Sequence, residues 1–140
     1  MQARERDAMA APWVDYGSAR WKRQLIADRA LMFKRELKMT FIQWAMDRDR
    51  NAGRVGYLFT DNAGRIVGAA CFIPQAGERN WRLTWVWMAP SARRSGLLAA
   101  AWPRFFQEFG TFDVEPPYSD AMEAFLAKHA PMQALLEPLS

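Results

Sequence analysis

The run Arg93-Arg94-Ser95-Gly96 is the part of the chain whose chemistry is easiest to interpret. It lies between an alternating run that predicts a strand and an apolar run, Leu97 to Phe109, that predicts a helix. The first amides of a helix have no intrahelical partners, and the positive end of the helix dipole lies beside them. Two arginines add charge and forked N–H donors. The sequence therefore predicts a phosphate-binding turn.

The strand before this turn is predicted from strict alternation between Trp81 and Met88. The residues expected on one face are Trp81, Leu83, Trp85 and Trp87, and those expected on the other are Arg82, Thr84, Val86 and Met88. Pro90 and Ser91 end the pattern. The turn is thus expected to follow directly from the end of an aromatic strand.

The 140-residue chain has the length and composition of one globular domain. Residues 1–12 are polar and lack a period, so we expect a disordered tail followed by a single domain over residues 13–140. Cys71 is the only cysteine and His129 the only histidine, which excludes an intramolecular disulfide and predicts no metal site. No apolar run approaches the length of a membrane span, so we expect a cytoplasmic protein with no membrane partner.

The other elements are predicted from period, turn formers and capping residues. They are a helix from about Ala19 to Leu37 with Ser18 as N-cap, a short helix or turn at Phe41–Met46, a surface loop at Asp47–Gly53, a hairpin of Tyr57–Thr60 and Arg65–Ile73, a strand at Thr111–Glu115, and a helix at Asp120–His129 that Ser119 caps and Pro131 ends. Pro103 lies within the helix that follows the turn, so this helix either kinks or begins later than Leu97. The segment after Pro131 is a strand or a helical turn.

This order of elements resembles the GNAT superfamily of N-acetyltransferases. The superfamily's pyrophosphate signature is Gln or Arg, two variable residues, Gly, one variable residue, then Gly or Ala, and Arg93, Gly96 and Leu98 occupy those places. Leu98 departs from the small residue of the pattern. The resemblance implies an α/β fold with a mixed, mostly antiparallel central sheet flanked by helices. It also implies acetyl-CoA as cofactor, bound by Val86, Trp87, Met88, Arg93, Arg94, Ser95, Gly96, Leu97 and Leu98.

A narrower similarity is to the sister-chromatid cohesion acetyltransferases, which act on protein lysines. It rests on Trp85-Val86, Arg93-Arg94, Phe109-Gly110 and Tyr118-Ser119-Asp120, which follow that branch's order of aromatic strand, paired arginines, aromatic-glycine and Phe-Ser-Asp. The similarity implies Asp120 as general base, with Ser119 and Tyr118 beside it. Ser119 and Asp120 are equally typical of ordinary helix capping. Phe125 stands where many GNAT enzymes place a tyrosine acid, and Tyr118 and His129 are the alternatives to it.

The resemblance implies an N-acetyltransferase that transfers an acetyl group directly to a primary amine on a protein or a small molecule. Two alternatives remain open. One is a catalytically silent acyl-CoA-binding domain, and the other is an arginine-rich module in which Arg93 and Arg94 meet nucleic acid or a protein. The net charge of +4 is scattered along the chain, so nucleic acid is not favoured. Glu78 and Asp113 are reserve catalytic candidates, and the sequence leaves the acceptor and the oligomeric state open.

Overall fold

A computed structural model describes residues 3–38, 43–75, 80–116 and 119–136, with side chains only as far as His129 in the last segment. The helices are α1 (Ala3–Ala10), α2 (Arg20–Glu36), α3 (Arg48–Asn51), α4 (Leu97–Phe109) and α5 (Asp120–Leu136). The strands are β1 (Trp13–Val14), β2 (Val55–Thr60), β3 (Ile66–Pro74), β4 (Trp81–Met88) and β5 (Phe112–Val114). A short 3-10 turn, Pro90–Ala92, separates β4 from α4.

The strands form one sheet in the order β1-β2-β3-β4-β5. Neighbouring strands are antiparallel from β1 to β4, whereas β5 runs parallel to β4. This arrangement confirms the predicted α/β class with a mixed, mostly antiparallel sheet. The parallel pair is possible because α4 returns the chain from the end of β4 to the side where β4 begins.

The helices cover both faces of the sheet. On the first face, α4 and α5 pack on a cluster of buried residues that we call the α4-side cluster: Tyr57, Phe59, Val67, Ala70, Phe72, Leu83, Ala92, Ala101, Trp102, Phe105 and Phe112. On the second face, α1 and α2 pack on the α2-side cluster: Ala8, Val14, Ile26, Ala30, Phe33, Trp44, Leu58, Ala69, Cys71 and Trp85. The aromatic content of the chain is used mainly on the first face, where rings contact one another edge to face.

β4 spans the predicted residues, but its faces differ from the strict alternation that the sequence indicates. A register shift lies between Cys71, paired with Trp85, and Phe72, paired with Leu83, so Thr84 is an extra residue. The hydroxyl of Thr84 donates a hydrogen bond of 3.1 Å to the Cys71 carbonyl. Because a bulge inserts one residue, the side chains after it exchange faces. Trp81 and Leu83 therefore join the α4-side cluster, whereas Trp85 and Trp87 join the α2-side cluster.

The predicted hairpin is also present, with β2 and β3 joined at Asp61–Gly64. The carboxylate of Asp61 accepts hydrogen bonds of 2.9 Å from the amides of Ala63 and Arg65. Gly64 has a φ of 83°, which glycine adopts without strain. These interactions close the turn locally, which explains why the sequence signal for it was clear.

The N-terminal segment differs from the expected disordered tail. Residues 3–10 form α1, Ala8 is fully buried, and the ammonium group of Lys22 lies 3.3 Å from Asp7. Lys22 also donates a hydrogen bond of 2.9 Å to the carbonyl of Ala11, which explains how a lysine is buried in α2. α1 contributes only one buried side chain, so its sequence has no strong apolar stripe from which a helix could be predicted. The domain boundary at residue 13 remains a prediction.

Other boundaries shift by smaller amounts. Ala19, not Ser18, is the N-cap of α2, and Ser18 instead closes the preceding turn by accepting the Asp15 amide at 3.0 Å. The expected loop at Asp47–Gly53 contains α3, because the Asp47 side chain caps it by accepting the Arg50 amide at 3.1 Å. Phe41, from the segment with a predicted short helix or turn, lies outside the described residues.

Two prolines lie inside helices that continue past them. α4 runs from Leu97 to Phe109 with Pro103 inside it, and α5 does not end at Pro131 but continues to Leu136. A proline removes one hydrogen bond to the carbonyl four residues earlier. Those carbonyls belong to Ala99 and Ala127, which are both exposed, so water can replace the lost donors.

Candidate functional site

β4 and β5 diverge after a short paired segment. They pair from Trp81 with Phe112 to Leu83 with Val114, and the last bond is a 2.9 Å hydrogen bond from the Glu115 amide to the Leu83 carbonyl. From Thr84 to Met88, β4 continues with β3 on one side and no described strand on the other. The fork begins at the bulge residue, and the free edge beyond it is roughly 16 Å long at about 3.3 Å per residue.

The backbone groups that open onto this free edge follow from antiparallel alternation. The Ala89 amide donates to the Val67 carbonyl in β3 at 2.8 Å. Since successive residues point their amides to opposite sides, the Trp87 amide is also directed at β3, and those of Val86 and Met88 point away from it. The contact of the Arg93 side chain with the Met88 carbonyl, described below, agrees with this direction. Two amides on the free edge are therefore available to a ligand.

A small cleft, open to solvent, occupies the fork. It is lined by Phe33, Leu37, Leu83, Thr84, Trp85, Val86, Val114, Glu115, Ser119 and Met122. Among these residues Glu115 carries the single carboxylate, and its side chain is about one-third exposed and lies 3.9 Å from Arg82. Glu115 is not among the site residues predicted from the sequence. The signal that could have found it is its position directly after a short strand that pairs with β4.

The predicted phosphate turn lies at the other end of the free edge. Arg94 has a φ of 61° and Gly96 a φ of 82°, and Gly96 is the N-cap of α4 without any side-chain cap. The first i→i−4 bond runs from the Ala100 amide to the Gly96 carbonyl, so the amides of residues 97–99 have no partner within the helix. A Cβ built on Gly96 would meet no atom within 4 Å, which leaves open space at the helix start.

The two arginines of the turn differ in their surroundings. Arg94 is exposed and makes no hydrogen bond or ion pair with another described residue. Arg93 is directed back at the protein, with Nε donating to the Met88 carbonyl at 3.0 Å and Nη2 donating to Glu36 at 2.8 Å. The hydrogen bond from Arg93 is the main reason, and one from Trp87 the second, why the pKa of Glu36 lies below its usual range. Ser95 donates to the Ala92 carbonyl and so fixes the turn.

The structure brings only part of the predicted catalytic set to the cleft. Ser119 lines it and caps α5, with Oγ accepting the Met122 amide at 3.1 Å. Asp120 follows in the first turn of α5, exposed, and does not line the cleft. Tyr118 lies outside the described residues, as does the reserve candidate Glu78. Asp113 accepts a hydrogen bond of 3.0 Å from the Gln75 amide group.

The remaining candidates have structural surroundings. The His129 ring stacks on Phe125 at 4.1 Å between centroids, and Phe125 packs edge to face on Trp102 at 4.8 Å. Cys71 is fully buried, which raises the pKa of its thiol to about 12. No group of three or more potential metal ligands occurs among the described residues, and no described helix has the length and apolarity needed to cross a membrane.

Comparison with solved structures identifies the fold. The chain is similar to GCN5 from Tetrahymena, with a TM-score of 0.58 and 14% identity over 87% of this chain and 76% of that one. It is equally similar to the xEco2 acetyltransferase domain bound to a CoA conjugate, with a TM-score of 0.58 and 16% identity over 85% of both chains. A GNAT-family acetyltransferase from Staphylococcus aureus gives a TM-score of 0.51 at 14% identity, over 86% of this chain and 81% of that one.

The protein therefore has the GNAT fold, as the sequence resemblance implied, and the xEco2 acetyltransferase domain is among its structural neighbours. No protein-family model and no curated protein sequence matches the chain. At such low identity the likeness concerns the fold alone.

Proposed function

We propose that this protein is an acetyl-CoA-dependent N-acetyltransferase that transfers an acetyl group to a primary amine on a protein or a small molecule. The observation that carries the proposal is the free edge of β4, which connects the cleft at the fork with the uncapped start of α4. A ligand with an amide-containing arm and a diphosphate at its end needs both features in this order. Coenzyme A is such a ligand. The cytoplasmic location expected from the sequence remains a prediction.

The residues present fit this cofactor. The free amides of Val86 and Met88 would pair with the pantetheine arm as an additional strand would. The unbonded amides of residues 97–99 and the positive dipole end of α4 would bind the diphosphate, with Arg94 free to contribute charge. The space beside Gly96 admits close approach of a phosphate to the backbone. Leu98 is half-buried against the α4-side cluster, so this departure from the family signature does not obstruct the turn.

For catalysis, acetyl-CoA would supply an acetyl group activated as a thioester. The Val86 amide is the first free donor beyond the fork and would donate to the carbonyl oxygen of that group. Asp120 is the base that the sequence resemblance implies, and Glu115 is the carboxylate that lines the cleft. Either would accept the proton of the incoming amine. Ser119 already accepts a hydrogen bond from Met122, so its hydroxyl hydrogen remains available to orient the acceptor or the base. Tyr118 remains the proposed acid for the departing thiol. Cys71 is buried, which favours direct transfer over a covalent intermediate on that thiol.

The first experiment is a calorimetric titration of acetyl-CoA into the wild-type protein, with thermal unfolding measured in parallel. A ligand that binds only the native state raises the unfolding temperature. We expect binding of acetyl-CoA and coenzyme A. Absence of any coenzyme A effect, together with DNA or RNA binding that weakens steeply with salt, would contradict the proposal and favour the arginine-rich module.

The second experiment is thiol release from acetyl-CoA with a panel of amines and lysine peptides. Loss of activity in Asp120→Asn with retention in Glu115→Gln would assign the base to Asp120, and the reverse result would assign it to Glu115. A silent cofactor-binding domain is the second candidate function, because Phe125 packs on Trp102 where the family's tyrosine is expected. Cofactor binding without thiol release for any amine would support that candidate.

A further inference from the structure

Three side chains from separate parts of the chain meet at the end of β4. Oε2 of Glu36, in the last turn of α2, accepts hydrogen bonds from Nε1 of Trp87 at 2.7 Å and from Nη2 of Arg93 at 2.8 Å. The Arg93 guanidinium also lies over the Trp87 ring, 5.9 Å from its centroid. One carboxylate thus joins α2, β4 and the turn before α4.

The geometry of the guanidinium shows which of its donors are used. Nε–H and one N–H of Nη2 form the side edge of the group, and in this protein they donate to the Met88 carbonyl and to Glu36. The outer edge, formed by Nη1 and the second N–H of Nη2, has no partner among the described residues. Two parallel N–H groups on one edge are the arrangement that binds a phosphate through two hydrogen bonds. The Arg93 side chain is 41% exposed, so this outer edge is accessible.

We propose that Glu36 is a positioning residue, which fixes the side edge of Arg93 so that its outer edge faces the diphosphate of the cofactor. This inference rests on the proposed function and goes beyond it. An arginine that is already held loses less side-chain entropy on binding than one that is free. The Trp87 indole holds the Glu36 carboxylate in turn, so the carboxylate is fixed before a ligand arrives.

The same contact between Glu36 and Arg93 could instead have the opposite effect on cofactor affinity. If Glu36 competed with phosphate for Arg93, its removal would strengthen cofactor binding. Positioning predicts instead that removal weakens binding, and only for ligands that contain the diphosphate. The sign of the change and its dependence on the diphosphate therefore separate the two roles.

The test compares coenzyme A with pantetheine, which lacks the diphosphate, on the wild type and Glu36→Gln. We expect Glu36→Gln to bind coenzyme A about fivefold more weakly, because a neutral amide is a poorer acceptor than a carboxylate. Pantetheine binding, measured by NMR titration, should be unchanged. Glu108→Gln is the matched control, since it removes the same charge from an exposed site near the C-terminal end of α4 and should bind both ligands as the wild type does.

A second measurement observes the contact itself. In protein labelled with ¹⁵N-tryptophan, the indole N–H signal of Trp87, assigned with Trp87→Phe, should shift in Glu36→Gln and not in Glu108→Gln. Thermal unfolding verifies that each variant is folded. Coenzyme A binding as tight as or tighter than that of the wild type, or an equal loss for pantetheine, would overturn the positioning role alone. Failure of the wild type to bind coenzyme A would overturn both this role and the proposed function.

Discussion

The glycine at the start of α4 gives the sharpest test of the phosphate turn. Gly96 has a φ of 82°, and a Cβ there would meet no atom within 4 Å. Gly96→Ala should therefore cost only the left-handed backbone strain, about 1 kcal/mol. For a domain of this length, that corresponds to a decrease in unfolding temperature of about 3 °C. The turn should tolerate the side chain sterically while it is empty.

Gly96→Asp adds a carboxylate at the place where the diphosphate is expected. The backbone strain is similar, and attraction between the carboxylate and the helix dipole recovers about 0.5 kcal/mol, so the variant should fold. Repulsion between two unit charges about 5 Å apart is roughly 2–3 kcal/mol at an effective dielectric constant of about 20 to 40. Coenzyme A should therefore bind this variant about 30 to 150 times more weakly than it binds the wild type in a calorimetric titration.

The chain supplies a matched control at the opposite end of the same helix. Gly110 is the C-cap of α4 and has a φ of 68°, and a Cβ added there would likewise meet no atom within 4 Å. Gly110→Asp introduces the same charge, and because the ψ of Gly110 is −146°, outside the left-handed helical region that Gly96 occupies, it should cost more stability than Gly96→Asp. Once thermal unfolding has verified that it is folded, this variant should bind coenzyme A as the wild type does. Gly96→Ala separates the added volume from the added charge. If Gly96→Asp binds coenzyme A as tightly as Gly110→Asp does, the diphosphate does not lie at the start of α4, and the reasoning from the turn is wrong.

Three further predictions concern the fold that supports the site. Burial raises the pKa of the Cys71 thiol to about 12, so a thiol reagent at about pH 8 should modify the native protein only as fast as it unfolds, and rapid modification would contradict this burial. The pKa of Glu36 is lowered mainly by its hydrogen bond from Arg93 and secondly by that from Trp87. The ionised carboxylate therefore stabilises the fold at pH values above 4.5, the ordinary pKa of the group, and this stabilisation is lost as the pH falls below that value. Urea unfolding between about pH 5 and about pH 3 should therefore show a steeper loss of stability in the wild type than in Glu36→Gln, and equal slopes would refute the contact. Gly68→Ala places a Cβ 2.5 Å from the Trp87 carbonyl oxygen, so it should lower the free energy of unfolding by about 3 kcal/mol. A loss of stability no larger than that of Gly96→Ala would show that β3 and β4 can separate there.

Much of the fold could be predicted because local signals and tertiary packing agree. The hairpin at Asp61–Gly64 closes through its own side chain, and α4 begins and ends at glycines with positive φ. α1 and α3 were missed for the opposite reason. α1 contributes one fully buried alanine, and α3 is a single turn whose charged residues read as a loop. α1 is held by contacts such as that of Lys22 with Asp7, which no local pattern reveals, whereas α3 is held by the local cap from Asp47.

The site was predictable where it depends on backbone and less so where it depends on side-chain partners. A strand followed by a glycine-containing turn and a helix is visible in sequence, and the structure has all three parts. The contact between Glu36 and Arg93 joins residues 57 positions apart, and no spacing rule connects them. Glu115 was missed because its proximity to Leu83 arises only when β5 pairs in parallel with β4.

The extra residue at Thr84 accounts for several of these features at once. In a regular strand, Trp85 and Trp87 would lie beside Leu83 on the α4-side cluster, and Trp87 could not reach α2. The bulge turns both tryptophans to the opposite face, where Trp87 contacts Glu36. It also lies at the point where the pairing with β5 ends, and a bulge increases the local twist of a strand. We infer that the fork and the contact that holds Arg93 have the same cause, so a strand without the extra residue would lose the cleft and the positioned arginine together.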